Sequence, residues 1–454
     1  MDPGSEKSTE GARRRVVRAT AFGNVVEWYD FGLYGAFANA IAASFFPGDA
    51  PARTLAVFAA FGVAFLFRPA GALLFGHLGD KYGRRNTLAT TILVTSVSTG
   101  VVGLLPGYQA IGPAAPALLV LLRIVQGMAI GGAYGGATAF IVEHAPSDRR
   151  GAHGGVQWST MALGLAMGAG TGALLTELLP GGAVEDWGWR VAFLAALPLG
   201  LVSLYIRLRT EETPKFRALR SAGAQSAWPV LETIRNAPRE LLLGLGLVAA
   251  LSSAVSFFFV FLPNQLARTG RTSASWALAA CVAGLLMVAV VSPVAGSLSD
   301  RLGRRPVAVA GTGVLLVIIG PAFWMVDQRA VPWLLGAYLV VGLGLGLAVP
   351  STLLSELFPT RLRYSGLSLT YGVGTALVGG STPLLAAAVV ESRGTLAPMA
   401  FGMVALFAGA VVCVALARET APGAGSSSLG DDLRPGLTAG SPISSPRTPD
   451  PEDR

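Results

Sequence analysis

The chain has little charge and few of the residues that do chemistry. Only 13% of its 454 residues are Asp, Glu, Lys or Arg, where a soluble domain carries roughly 25%. A mostly water-exposed molecule is excluded. There are three histidines and two cysteines. His77, His144 and His153 fall at predicted helix ends without metal-ligand spacing, and Cys281 and Cys413 lie in apolar runs. No metal site, disulfide or redox centre is expected. The sequence offers no nucleophile–base cluster and no phosphate-binding loop, so an enzyme and an ATP-driven pump are both disfavoured, and no cofactor is expected. A cleavable leader is not evident. Residues 1–18 are polar and basic (Arg13, Arg14, Arg15, Arg18), and the apolar run after them is too long for a signal segment.

What the chain has is apolar length. Hydrophobic residues make up 52% and glycines number 58. Small residues let helices approach closely in lipid, where no hydrophobic push drives them together. A membrane span needs about 20 apolar residues. Twelve segments qualify: 20–46, 54–76, 87–106, 115–143, 154–179, 190–208, 240–265, 275–298, 307–326, 331–357, 364–390 and 396–417. The predicted fold is an all-α membrane protein with twelve spans in two six-helix halves. The expected layout is a cytoplasmic N-terminal tail (1–19), a first bundle (20–208), a cytoplasmic linker (209–239), a second bundle (240–417) and a disordered cytoplasmic tail without heptads (418–454).

The net charge of +8 does not indicate nucleic acid, because the basic residues cluster in short loops and tails. Six of them (Arg53, Arg190, Arg268, Arg271, Arg329 and Arg393) fall in the predicted outer loops, Arg68 and Arg123 lie within spans, and the rest mark the inner face. That bias sets orientation in a bilayer and predicts a multi-pass plasma-membrane protein with both termini cytoplasmic.

Two repeats divide the chain at its middle. Gly76-His-Leu-Gly-Asp-Lys-Tyr-Gly-Arg-Arg85 returns as Gly296-Ser-Leu-Ser-Asp-Arg-Leu-Gly-Arg-Arg305. Glu143-His-Ala-Pro-Ser-Asp-Arg-Arg-Gly151 is echoed by Glu356-Leu-Phe-Pro-Thr-Arg-Leu-Arg-Tyr-Ser-Gly366. Duplicated halves are the sequence mark of many secondary transporters. The first repeat reads either as a tight turn with orientation anchors or as a conformational latch. In the latch reading, Gly76 and Gly83 allow close backbone approach, Asp80 and Asp300 cap or pair, and Arg84, Arg85, Arg304 and Arg305 bind helix ends or headgroups. Glu143 and Glu356 end their spans and read either as gate residues for loop arginines or as solvated helix ends.

Charges inside spans are expensive and mark function by default. Glu27 and Asp30, three residues apart, share one helix face. A carboxyl group stripped of water can take up a proton near neutral pH, which a proton-coupled carrier requires. Arg68 matches Glu27 in depth, so a pair between Arg68 and Glu27 or Asp30 is expected. Trp28, Tyr29, Tyr34, Tyr134, Trp158 and Phe257 to Phe259 lie near these charges and offer faces for an ammonium group; packing is the ordinary role of each. Trp187 and Trp189 read as an interface belt.

The repeated decapeptide resembles the loop signature of the major facilitator superfamily, and Arg123-Ile-Val-Gln-Gly127 resembles that superfamily's Arg-x-x-Gln-Gly element. Gly23-Asn-Val-Val-Glu-Trp-Tyr-Asp-Phe31, Arg68-Pro69, Gly131-Gly-x-Tyr134 and Asp186-Trp-Gly-Trp-Arg190 are similar to its metabolite:proton symporter family. The resemblance covers nearly all of residues 20–417. Ala196-Leu-Pro-Leu-Gly200, Glu211-Glu-Thr-Pro-Lys-Phe216 and Thr382-Pro-Leu-Leu-Ala-Ala387 look most like the proline/betaine members, although the long C-terminal coiled coil of some osmosensing members is absent. The resemblance implies proton-coupled symport of a small polar metabolite by one chain acting as a monomeric unit. It implies proton coupling by Glu27, Asp30 and Arg123, with Arg123 partnering a titrating carboxylate or a substrate carboxylate. The substrate contacts expected are Arg68, Trp28, Tyr34, Gln126, Tyr134, Trp158 and Phe258. Balanced in-span charge favours a zwitterion such as proline or glycine betaine. A dicarboxylate or oxoacid (2-oxoglutarate, citrate) or shikimate is the alternative. A membrane osmosensor or receptor is a different class, and would need a sizeable folded soluble domain that the sequence does not offer.

Overall fold

The computed structural model describes residues 3–180, 182–209, 229–328, 331–359 and 362–421, without the side chains of 3–19, 80, 82, 84, 144, 147 and 229. The described residues form helices and turns with no strand. Eleven helices are long and apolar enough to cross a membrane: Ala50–Gly79, Arg85–Leu104, Ala114–Glu143, Arg150–Leu178, Val184–Leu208, Pro238–Arg268, Ala274–Leu302, Arg304–Asp327, Val331–Leu357, Arg363–Arg393 and Ala397–Leu416. The first span, Pro3–Ala36 continued by Ala38–Phe45, makes the twelfth. It falls short on apolarity because Asn24, Glu27 and Asp30 interrupt it, and those residues are buried against protein rather than lipid.

Helical structure begins at Pro3, inside the segment expected as a tail. Residues 6–18 contain Glu, Lys, Arg and Ala, which favour helix, and no proline. In the expected linker, Pro229–Asn236 is a short helix packed under spans two and eleven. Residues 210–228 and 422–454 lie outside the description, and with them most of the linker and the tail expected to be disordered.

Proline breaks two spans. Pro69 removes an N–H and crowds the preceding turn, so the second span is divided at Phe67 into Ala50–Leu66 and Arg68–Tyr82. The tenth divides into Val331–Ala348 and Pro350–Leu357. Val349 between them has φ +27°, the only non-glycine with positive φ among the described residues, a strained setting for a β-branched side chain.

The halves meet along two seams, spans five against eight and spans two and four against eleven. Small residues bring the backbones together: Gly155 lies on Ser292 and Pro293, and Gly135 on Ser368. The repeated loops are built alike. Gly83 (φ +115°) and Gly303 (φ +109°) hold equivalent junctions between successive spans, in a region that other residues rarely enter.

Candidate functional site

A polar cluster is buried where spans one, three and four touch. Asp30 receives Arg123 Nη1 at 3.2 Å, Thr99 Oγ1 at 2.8 Å and Gln126 Nε2 at 3.1 Å. Both members of the ion pair are about 98% or more enclosed (side-chain exposure 1% and 2%). The Arg123 guanidinium lies 4.0 Å over the Tyr34 ring, and the Tyr34 hydroxyl donates to the Val57 carbonyl at 2.9 Å. Arg123 Nε and Nη2 have no hydrogen-bond partner. Thr99 was not anticipated from sequence. The signal was its place in the run Thr95, Ser96, Ser98, Thr99, all buried inside an apolar span.

Glu27 and Arg68 are arranged differently from the expected pair. No carboxylate lies within salt-bridge distance of Arg68, and none of its three guanidinium nitrogens has a hydrogen-bond partner. Its guanidinium is instead 3.8 Å over Phe65, 4.7 Å over Phe31 and 6.0 Å over Tyr371. The reason is competition: Asp30 is already engaged by three donors, and the aromatic faces take the arginine. Glu27 is buried, and its Oε1 is unpartnered.

Arg68 opens onto a central cavity of about 30 Å³ between the halves, with Trp28, Tyr134, Trp158 and Tyr371 in its wall and Ser252 and Ser256 from the second half. That is room for about two waters, so a larger occupant must part the aromatic walls. Tyr134 and Tyr371 stack across the halves at 3.6 Å and 11°. Trp158 donates its indole N–H to the Leu345 carbonyl at 3.0 Å. Tyr134 Oη is 3.4 Å from Ser351 Oγ, which in turn donates to Gln157 Oε1.

Of the expected substrate contacts, Arg68, Trp28, Tyr134 and Trp158 reach this cavity. Three do not. Gln126 is used within the Asp30 cluster. Tyr34 is held behind it by Arg123 and Val57. Phe258 turns away to pack on Phe257 and Phe323. Tyr371, Phe31 and Phe65 are lining residues that the sequence did not single out. Trp189 is a fully buried core residue against Phe45 and Phe193, so the belt reading is corrected for it, while Trp187 is exposed.

The end carrying the basic loops is closed by contacts across the seam and braced by others within each half. Asp300 accepts the N–H groups of Gly151 and Ala152 at 2.8 and 2.9 Å, capping the N-terminus of span five. Arg304 holds Asp300 (2.6 Å) and Glu356 (3.2 Å), and Arg150 approaches Glu356 at 3.9 Å. Arg363 pairs with Glu143 at 3.2 Å. Glu419 accepts the N–H groups of Arg304 and Arg305 at 2.8 and 3.1 Å. Gly76 faces Ser365 of span eleven, and Arg85 donates to Asn86 at 3.2 Å. The Asp80 and Arg84 side chains lie outside the described residues. The opposite end is closed as well: Asn264 of span seven donates to the Gly35 carbonyl, and Phe58 packs on Phe261 at 5.7 Å.

Two helical halves around a buried aromatic and charged cavity, each end sealed by contacts across the halves, define a multi-pass membrane carrier of small solutes rather than an enzyme. A family model described as Sugar (and other) transporter matches residues 16–241, and one described as Major Facilitator Superfamily matches residues 241–448. The chain belongs to the major facilitator superfamily. It is 36% identical to the Proline/betaine transporter of Escherichia coli (strain K12) over 429 residues, 91% of this chain and 85% of that one. It is 36% identical to the Glycine betaine/proline/ectoine/pipecolic acid transporter OusA of Dickeya dadantii over 439 residues, 93% and 87% of the two chains. The fold matches a solved structure of the proton:xylose symporter XylE bound to 6-bromo-6-deoxy-D-glucose, with a TM-score of 0.72 at 16% identity, covering 91% and 97%.

Proposed function

We propose that the chain is a proton-coupled symporter of a small zwitterion, of the proline or glycine betaine type. The observation that carries this reading is Arg68, a buried cation with no carboxylate partner, held among aromatic faces at the central cavity. A buried charge without a partner is costly, and a substrate carboxylate offers the bidentate match that guanidinium favours. Trp28, Trp158 and Tyr371 offer faces to an ammonium group. Among the residues described at this cavity, Arg68 is the one cation, which suits one carboxylate; a tricarboxylate asks for more. The relatives' named substrates, proline and betaine, agree with this chemistry.

In this reading Asp30 and Glu27 are the proton acceptors. Asp30 is held by Arg123, Thr99 and Gln126, and protonation would release Arg123 from its charge. The clustering of basic residues in these loops supports a cytoplasmic face at this end, with both termini on it. The contacts of Asp300 with span five and of Arg363 with Glu143 form the inner gate, and Asn264 with Gly35 the outer one. The halves rock about the cavity so that one gate parts at a time.

Uptake of radiolabelled proline, betaine, shikimate and 2-oxoglutarate into proteoliposomes, with and without an inward proton gradient, tests the reading. Gradient-driven accumulation of proline or betaine, abolished by a protonophore, is expected. Uptake of only the anionic solutes would overturn the substrate assignment, and uptake indifferent to the gradient would overturn the coupling.

A further inference from the structure

A groove far larger than the central cavity, about 600 Å³, lies on the outer wall of the second half at the end opposite the basic loops. Spans seven, nine, eleven and twelve frame it. Its slot is apolar: Phe323, Ala400 and Val404 form the wall, and Trp324 and Phe401 stand at the rim, 54% and 77% exposed. Gly320 keeps it wide, because nothing lies within 4 Å of where a side chain would begin. The mouth is polar. Arg271 and Asp327 stand 3.5 Å apart there, both exposed (39% and 79%).

The depth of the groove can be read from its aromatics. Trp324 and Trp333 meet edge to face at 5.1 Å, both exposed, as tryptophans are at the headgroup level of a bilayer. The charged mouth is therefore at headgroup depth and the slot runs into hydrocarbon. Where Phe323, Ala400 and Val404 line it, the slot gives water few partners, and an open slot there forfeits the dispersion contacts that a filled one makes.

We propose that this groove is a binding site for one zwitterionic phospholipid, with its phosphate on Arg271, its ammonium on Asp327 and one acyl chain along Phe323, Ala400 and Phe401. Charge complementarity selects the headgroup: among the described residues the two charges lining the mouth, Arg271 and Asp327, sum to zero, so a headgroup with one charge of each sign satisfies both. An anionic headgroup satisfies Arg271 and meets repulsion from Asp327. The site is separate from the central cavity and does not depend on which solute is carried.

The test is native mass spectrometry of the full chain, relipidated in turn with phosphatidylethanolamine, phosphatidylcholine and phosphatidylglycerol. One retained adduct of either zwitterionic lipid is expected, favoured over phosphatidylglycerol by about threefold, the effect of one exposed charge pair. Ala400→Trp fills the slot and should remove the adduct, while D327N should bring phosphatidylglycerol to parity. An undiminished adduct in Ala400→Trp, or parity between the lipid classes in the unaltered chain, overturns the proposal. Phosphatidylethanolamine carrying a photoreactive acyl chain, applied to the unaltered chain, guards against misfolding of the variant. It should label residues within 320–327 and 396–404, and labelling confined to other segments overturns the site.

Discussion

The rings of Tyr134 and Tyr371, one from each half of the molecule, lie parallel at 3.6 Å. They join spans four and eleven directly beside Arg68 and Trp28, since Tyr371 also meets Trp28 edge-on at 6.4 Å. The cavity wall is thus made from both halves, and any occupant that fits between them reports on their separation.

Tyr371→Ala should raise the KM for uptake about tenfold, the upper value of one aromatic pair. Tyr371→Phe keeps the ring and should stay within about twofold of the unaltered chain by the same reasoning. Concentration-dependent uptake of labelled proline measures both. Equal KM values for the Ala and Phe variants would remove the stack from recognition.

Asp30→Asn should abolish accumulation against a gradient while solute exchange at equal concentrations continues. It also leaves Arg123 buried without a counter-charge, a change that costs about 3–5 kcal/mol in protein interiors. Pairing it with Arg123→Gln should restore thermal stability in detergent but not accumulation. Accumulation at the unaltered level in Asp30→Asn would exclude Asp30 from coupling.

Arg68→Lys keeps the charge but loses the planar fork and the stacking on Phe65. Zwitterion binding should fall at least about tenfold, the loss of one bidentate, charge-assisted contact, with no loss of folded protein, because no native ion pair is broken. Equilibrium binding and thermal unfolding on the same preparation separate these effects. Unchanged affinity would relocate the carboxylate site.

Asp300→Ala removes the acceptor of two N–H groups on span five and of Arg304. The end with the basic loops should open more often. A cysteine placed at Thr352, buried at that gate, in a background without Cys281 and Cys413, should react faster with a maleimide in the Asp300→Ala chain. Unchanged labelling would mean that Asp300 holds the turn and not the gate.

Spans and halves were legible because lipid imposes length and apolarity on each helix, and because the two decapeptides keep Gly83 and Gly303 in register. The in-span charges were legible for the same reason: Asp30, Arg68 and Arg123 stand out against an apolar background. Their partners were not. Helices buried on nearly all sides have no periodic face, so nothing in the sequence told Tyr371, which lines the cavity, from Phe258, which does not. The π-helical turns at Phe257–Phe261 and Thr375–Gly379 shift the register of spans seven and eleven by a residue, and no residue type announces them. The outermost face of the Arg68 seat, Tyr371 at 6.0 Å, comes from span eleven, some 300 residues further along the chain, a distance over which one sequence carries no pairing signal.

The sum of the deep charges has an electrical consequence. Asp30 and Arg123 cancel, and Glu27 offsets Arg68 only when it is ionised, so with all four ionised these groups of the first half sum to zero. In that state their movement in the unloaded frame would be indifferent to voltage. A bound proton adds one charge, and an elementary charge crossing 100 mV contributes about 2.3 kcal/mol. If the solute enters with that proton, as proposed above, the membrane potential would accelerate the loaded half of the cycle, and steady-state current would saturate with voltage at the rate of the empty return.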